Sequence, residues 1–535
     1  MKRRNFLSFA SLMPALAAGA QQVRPLGSGR PTAAAGMALE ELTLDAIQQS
    51  FSSGQATSES LTRAYLERIR PLDGRTVNAI IQLNPEALAI AADLDRERQA
   101  KGPRSLLHGV PVLIKDNIDT SDQMWTTAGS LALNGSIAAQ DSYVAARLRA
   151  AGAVILAKTN LSEWANFRST HSVSGWSGRG GQTRMPYALD RNPSGSSSGT
   201  GAAIAASFAA IGVGTETDGS IVSPASVNCL VGIKPTVGLI GRSGIIPISF
   251  TQDTAGPMAR TVRDAAILLT VLAGQDPRDP ATIANAGHVP ADYTKFLDAN
   301  GLKGARLGVA RKFFGTSPSA DRIIDDSIAQ LKSLGAEIID PADASTNWKY
   351  GDAENDVLQY EFKFGLNKYL AGLAPSIKVR TLTDLIAFNS AHRAAEMPYF
   401  DQEILEQSDK RGPLTDKAYL DALEKCRKQS RDEGIDAVIS KNKLDAIIAL
   451  TNGPACLTDW INGDQDTGGC SSPAAVAGYP HITVPAGFVH GLPIGLSFFG
   501  TAWTEPTLLK LAYAFEQATK VRKAPAFALT ADLPA

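Results

Sequence analysis

The chain has 535 residues, of which 44% are hydrophobic and 20% charged, and its formal net charge is −1. That composition is globular and carries enough apolar material for a large core. Nothing in that charge balance argues for nucleic acid or an anionic membrane surface as the main partner.

The first twenty residues have the parts of an export signal in the right order. Lys2-Arg3-Arg4 is a basic start with a twin-arginine pair, an apolar stretch runs from Phe6 to Ala18, and Ala18-Gly19-Ala20 has the form of a cleavage site. The apolar run is too short to span a bilayer. Residues 1–20 are therefore expected to be a twin-arginine-type signal, residues 21–37 a linker, and the mature protein periplasmic with no membrane anchor. Residues 38–525 are expected to form one unit, with 526–535 a tail.

Within that unit, Leu44, Ile47 and Phe51 start one amphipathic helix, and Leu61, Tyr65, Leu66 and Ile69 another. A strand is expected at Val77–Leu83 and a helix over 86–101. Val110–Ile114, Ala153–Ala157, Ile211–Thr215, Arg306–Ala310 and Leu444–Leu450 are short apolar runs of the kind found in strands covered on both faces. Asp141–Ala151 reads as the helix before the second of these. Gly201–Ala210 reads as a helix of small residues whose backbone can approach its neighbours closely. Ile324, Ile328 and Leu331 form one stripe of a further helix that Gly335 stops. Residues 345–435 are more charged and richer in aromatics, and read as a helical insertion beside the sheet. Sheet-like text returns over 472–502. The order of elements predicts an α/β fold with a single large mixed, mostly parallel-type twisted β-sheet, covered by helices on both faces.

The four cysteines include no CxxC pair, and with six histidines there is no obvious zinc ligand set. Cys229 reads as a small core residue. Cys456 and Cys470 could bridge in an exported protein, and the sequence leaves that pairing open.

Two serines and one lysine carry the chemistry. Ser196 lies in the Gly/Ser-rich loop Gly195-Ser-Ser-Ser-Gly, Ser220 ends the turn Gly214-Thr-Glu-Thr-Asp-Gly-Ser, and Lys115 ends the apolar run Val110–Ile114. Alone, the Gly/Ser loop reads as a flexible linker. A phosphate cradle fails because the loop lacks the GxxxxGK[ST] order. The glycine-rich turn into Ser220 can aim several backbone N–H groups at one point, as an oxyanion hole requires. Two hydroxyls and one buried amine can supply a nucleophile, a relay and a base without histidine. Burial disfavours the ammonium and lets a lysine act as a base. Asp116 must then point away from Lys115, which strand alternation permits. Lys158 also follows an apolar run and reads as structural. Ser197 and Ser198 read as loop hydrogen-bond donors, and His171, Trp176 and Arg179 as exposed loop residues or parts of the cleft mouth.

Together, Gly109-Val-Pro-Val-Leu-Ile-Lys-Asp, the Gly195 loop and the Gly214 turn resemble the amidase signature family. Gly232-Ile-Lys-Pro-Thr-Val-Gly, Gln252-Asp-Thr-Ala-Gly-Pro-Met and Thr483-Val-Pro-Ala-Gly extend the resemblance from about residue 40 to 520. Gly241-Arg-Ser-Gly-Ile-Ile-Pro-Ile-Ser, Leu382-Thr-Asp-Leu-Ile-Ala-Phe-Asn and Glu396-Met-Pro-Tyr-Phe are most similar to its bacterial peptide amidases. The resemblance implies Ser220 as nucleophile, Ser196 as relay after a cis peptide bond, and Lys115 as general base. It implies an oxyanion hole from the N–H groups of Thr217, Asp218, Gly219 and Ser220, ammonia as product, and no metal or organic cofactor. A peptide or small-molecule amide is the expected partner, and the oligomeric state is not readable. The competing readings are an amidase of small aliphatic or aryl amides, a glutamine-dependent tRNA amidotransferase component, and a periplasmic binding protein.

Overall fold

A computed structural model describes residues 38–344 and 349–533. The expected signal and linker over residues 1–37 lie outside the described residues. The strand Ala446–Leu450 shows how the interior is divided: Ala446, Ile448 and Leu450 enter one apolar cluster, while Ile447 and Ala449 enter another. An apolar period-two alternation on both sides of a strand is what a sheet covered on both faces requires.

In chain order the strands are β1 (Ile80–Leu83), β2 (Pro111–Lys115), β3 (Val154–Thr159), β4 (Trp176–Ser177), β5 (Gly181–Gln182), β6 (Ile211–Glu216), β7 (Val231–Lys234), β8 (Thr254–Ala259), β9 (Arg306–Val309), β10 (Glu337–Ile339), β11 (Ala446–Leu450), β12 (His481–Val489) and β13 (Leu492–Phe499). Eleven of these described strands form one sheet in the order β1-β3-β2-β6-β8-β7-β12-β13-β11-β9-β10, and β4 and β5 pair apart from it. The sheet is mixed, but the expected parallel majority is not found. Four neighbouring pairs are parallel and six are antiparallel. The reason is physical: β7, β8 and β13 are buried along their whole length, so these antiparallel strands lack the polar alternation that distinguishes them from parallel ones.

The small-residue helix spans Ser198–Ala205, starting three residues earlier than expected and inside the Gly/Ser loop. A Cβ on Gly199 would lie 2.4 Å from the Asn160 carbonyl oxygen, and one on Gly201 would lie 3.1 Å from that of Pro224. The contact distances explain the composition: only small residues let this helix lie against the strands. The helix Pro318–Ser333 buries Ile324, Ile328 and Leu331, and Gly335 follows it with φ +94°.

The described part of the region 345–435, residues 349–435, is largely helical, with Gly351–Ala371 its longest helix. It packs on the sheet domain rather than standing apart. Phe362, Leu366 and Leu385 share a cluster with Trp164, Phe167 and Ile248, and the Phe167 and Phe362 rings meet edge-on at 5.1 Å. A buried polar tie joins the same parts. Arg168 donates to Glu163 and to the Glu396 carbonyl, and its guanidinium lies 4.1 Å from the Phe400 ring centre. The Glu396 carboxylate accepts from the Leu131 N–H at 2.7 Å and from the Ser130 hydroxyl at 3.2 Å.

Burial, and then the adjacent Glu163, push the Glu396 carboxyl from 4.5 up to about 8. A raised acid binds its proton in the folded chain while the unfolded chain has lost it, so this group's contribution is full below pH 4.5 and fades as pH rises through about 8. The slope is about 1.4 kcal/mol per pH unit for one proton. Glu396→Gln keeps a donor towards Glu163 and cannot ionise. Urea midpoints from pH 5 to 9 should therefore fall less steeply in Glu396→Gln than in the parent. Equal slopes would contradict the buried acid pair.

Candidate active site

The parallel strands β3, β2 and β6 end on one edge, where open α/β sheets place ligand sites. Lys115 is the last residue of β2 and is fully buried. Its Nζ lies 2.7 Å from Ser196 Oγ, 2.9 Å from Thr215 Oγ1 and 3.2 Å from the Thr215 carbonyl oxygen. The parallel register of β2 and β6 sets Ile114 opposite Val213 and so brings Thr215 to the amine. Burial lowers the Lys115 amine from 10.5 to about 7, against the opposing pull of Asp253 and Glu216.

Asp116, next in sequence, faces elsewhere. It accepts from Thr127 Oγ1, from the Gly129 N–H at 3.3 Å and from Arg179 at 3.5 Å. Lys158 is likewise buried, and it donates to the Ile118 carbonyl and to Thr126 Oγ1. It ties the chain after β2 to β3 and does not reach the serines through these contacts.

Ser196 follows a cis peptide bond from Gly195, and its carbonyl accepts from the Ser162 N–H at 3.1 Å. A side chain on Gly195 would collide with Ser162 Oγ at 2.2 Å. Ser197 Oγ donates to the Thr215 carbonyl at 3.0 Å, and Ser198 Oγ lies 3.3 Å from Ser162 Oγ. These contacts clamp the Gly/Ser loop onto β6 and the chain after β3. The Ser197 N–H donates to the Ser220 carbonyl at 3.2 Å, which joins the Gly/Ser loop to the Ser220 turn. Ser220 itself is 8% exposed.

Glu216 organises that turn, a role the sequence reading missed. Its two oxygens accept from the N–H groups of Gly219, Ile221 and Val222 at 2.9, 2.8 and 3.0 Å. Of the four expected oxyanion amides, the one on Gly219 is thus already engaged by a carboxylate. The sequence carries no local signal for this role, because the residues that cap through their own side chains are Ser, Thr, Asn and Asp. Gly219 has φ +78°, and a Cβ there would approach Ser471 Oγ to 3.1 Å. Thr217 Oγ1 donates to Asp253 at 2.6 Å, and Asp253 is held by the Ile248 and Ser249 N–H groups. Burial pushes Asp253 up to about 6.

A cavity of about 620 Å³ opens beside Asn117, Thr215 and Thr217, with an apolar wall that includes Ile246 and Ile248 and with Lys368 on its lining. It reaches Lys115 through Thr215, which accepts from both Lys115 and Asn117. None of His171, Trp176 and Arg179 lines this cavity. The His171 side chain is exposed beside Glu403, the Trp176 ring packs on Phe400, and Arg179 stacks on Trp125. Cys456 and Cys470, whose pairing the sequence left open, are both free thiols, as is the buried Cys229.

The family model for amidases matches residues 60–509. A protein of Arabidopsis thaliana described as a probable amidase is 43% identical over 498 residues, covering 91% of this chain and 92% of that protein. The solved peptide amidase of Stenotrophomonas maltophilia is 48% identical with a TM-score of 0.85, covering 91% of this chain and 99% of the other. A glutamyl-tRNA(Gln) amidotransferase component from Roseiflexus is 33% identical over 515 residues, 90% of this chain and 97% of that one. With the motifs gathered at one sheet edge and a match of this extent, the chain belongs to the amidase signature family and is a hydrolase of amide C–N bonds.

Proposed function

We propose that the protein removes the amide nitrogen of C-terminal peptide carboxamides through an acyl-enzyme on Ser220. The observation that carries this reading is the buried Lys115 amine, held near neutrality and 2.7 Å from Ser196 Oγ, in a loop whose next amide binds the Ser220 carbonyl. When neutral, Lys115 donates to the two Thr215 oxygens and accepts from Ser196, so Ser196 can in turn accept the Ser220 proton. Ser220 attacks the amide carbon, and the N–H groups of Thr217, Asp218 and Ser220 face the oxyanion. The proton returns by the same relay to the departing nitrogen, ammonia leaves, and water repeats the attack on the ester. The choice of peptide amides rests on the 48% identity to a peptide amidase, against 33% to the amidotransferase component.

We further propose that Arg3 and Arg4 direct export of the precursor. Changing both to Lys should leave the precursor in the cytoplasm, and mature protein still reaching the periplasm would refute this.

Ser220→Ala and Lys115→Ala should each lower amide turnover at least about a thousandfold with the fold intact, and Ser196→Ala should lower it by a variable amount. A serine-directed fluorophosphonate should label Ser220, as read by mass spectrometry. A label elsewhere with Ser220→Ala still active would overturn the assignment. Ammonia release from a peptide amide without ATP, tRNA or partner proteins separates this reading from the amidotransferase, and turnover separates it from a binding protein. A panel of peptide, aliphatic and aryl amides ranks the substrate classes.

Since only neutral Lys115 accepts a proton, kcat/KM should rise with pH through about 7. A profile that is flat from pH 5 to 9 would contradict the lysine base.

A further inference from the structure

The helical region reaches the Ser220 turn through one acidic side chain. Glu354, in the first turn of the helix Gly351–Ala371, is 8% exposed, and its Oε1 accepts from Gln252 Nε2 at 3.0 Å. The same Nε2 donates to the Thr217 carbonyl at 3.3 Å. The Thr217–Asp218 peptide is planar and trans, so its carbonyl and its N–H point in opposite directions. Fixing the Thr217 carbonyl on Gln252 therefore fixes the direction of the Asp218 N–H.

The second contact acts on the same residue. The Glu354 carboxyl meets that of Asp218, whose Oδ2 accepts from Ser472 Oγ at 2.6 Å. Asp218 Oδ1 is buried and otherwise lacks a donor. Burial, and then Asp218, hold Glu354 well above the usual carboxyl range. A protonated Glu354 supplies the donor that Asp218 needs while its other oxygen still accepts from Gln252.

We propose that Glu354 is a positioning residue for the oxyanion turn, holding Gln252 on one side and Asp218 on the other so that the Asp218 N–H faces the developing oxyanion. This rests on the reading of Ser220 as nucleophile. Glu354 touches no reacting atom; it acts through Gln252, Thr217 and Asp218. Because it comes from the helical region, that region becomes part of the catalytic apparatus.

The test compares Glu354→Ala, Glu354→Gln and Gln252→Ala on a peptide amide, with thermal midpoints measured alongside. Losing one oxyanion donor outright costs about a hundredfold or more in kcat, so misaligning one in Glu354→Ala should lower kcat by about tenfold to a hundredfold with KM little changed. Glu354→Gln should recover kcat to within about threefold of the parent, because its amide donates to Asp218 and its oxygen accepts from Gln252. Parental kcat in Glu354→Ala overturns the proposal, and so does a Glu354→Gln variant as slow as Glu354→Ala. If Glu354→Ala does not fold, Gln252→Ala decides: lowered kcat at unchanged KM supports the proposal, and parental kcat overturns it. Failure of the underlying reading is seen separately, as fluorophosphonate label on a residue other than Ser220 in the parent.

Discussion

An amine buried at the end of a strand, with hydroxyl and carbonyl oxygens around it in place of a paired carboxylate, is the constraint on which the site depends. In water an ammonium is stable to about pH 10. Inside the protein the charged form loses its hydration, and that loss is not compensated unless an anion lies against it. At Lys115 the immediate partners are Ser196 and Thr215, and Asp253 and Glu216 act only as charges at longer range. The side chain can therefore take up and give back a proton near neutral pH, which an exposed lysine cannot do.

Several features of the fold serve this arrangement. The strand alternation of β2 sends Asp116 away from the amine and into contacts with Thr127 and Arg179. The neighbouring carboxylate on β6, Glu216, is occupied by three backbone N–H groups of the Ser220 turn. One side chain thus shapes the turn while being kept from a direct ion pair with the Lys115 amine. The loops on either side are held by small residues: Gly195 makes room for Ser162, and Gly219 makes room for Ser471. The helical region adds a layer of support through Arg168, Glu163 and Glu396 at one contact and Glu354 at another.

What could be read from the sequence follows from range. Lys115 at the end of an unbroken apolar run, and Ser220 after a glycine turn, are local patterns. The position of each was legible, and so was the opposite facing of Asp116. Thr215 was not legible as the partner of Lys115, because that contact depends on the parallel register between β2 and a strand far along the chain. Glu354 was less legible still, since nothing near it in sequence points to Asp218. Glu216 was not legible either, because glutamate is not among the residues that mark a cap. The helix at Ser198–Ala205 begins inside a Gly/Ser stretch of low helix propensity, where contact with Asn160 outweighs local preference. Strand direction escaped the sequence because the antiparallel strands here are as buried as the parallel ones.

The central claim is that the Lys115 amine loses its proton near neutral pH. NMR titration of isotope-labelled lysine side chains, with Lys115→Arg used to assign the resonance, measures this directly. The account expects a midpoint at about 7. A midpoint at the ordinary lysine value, about 10.4, would mean that the amine stays charged at working pH and cannot serve as the base.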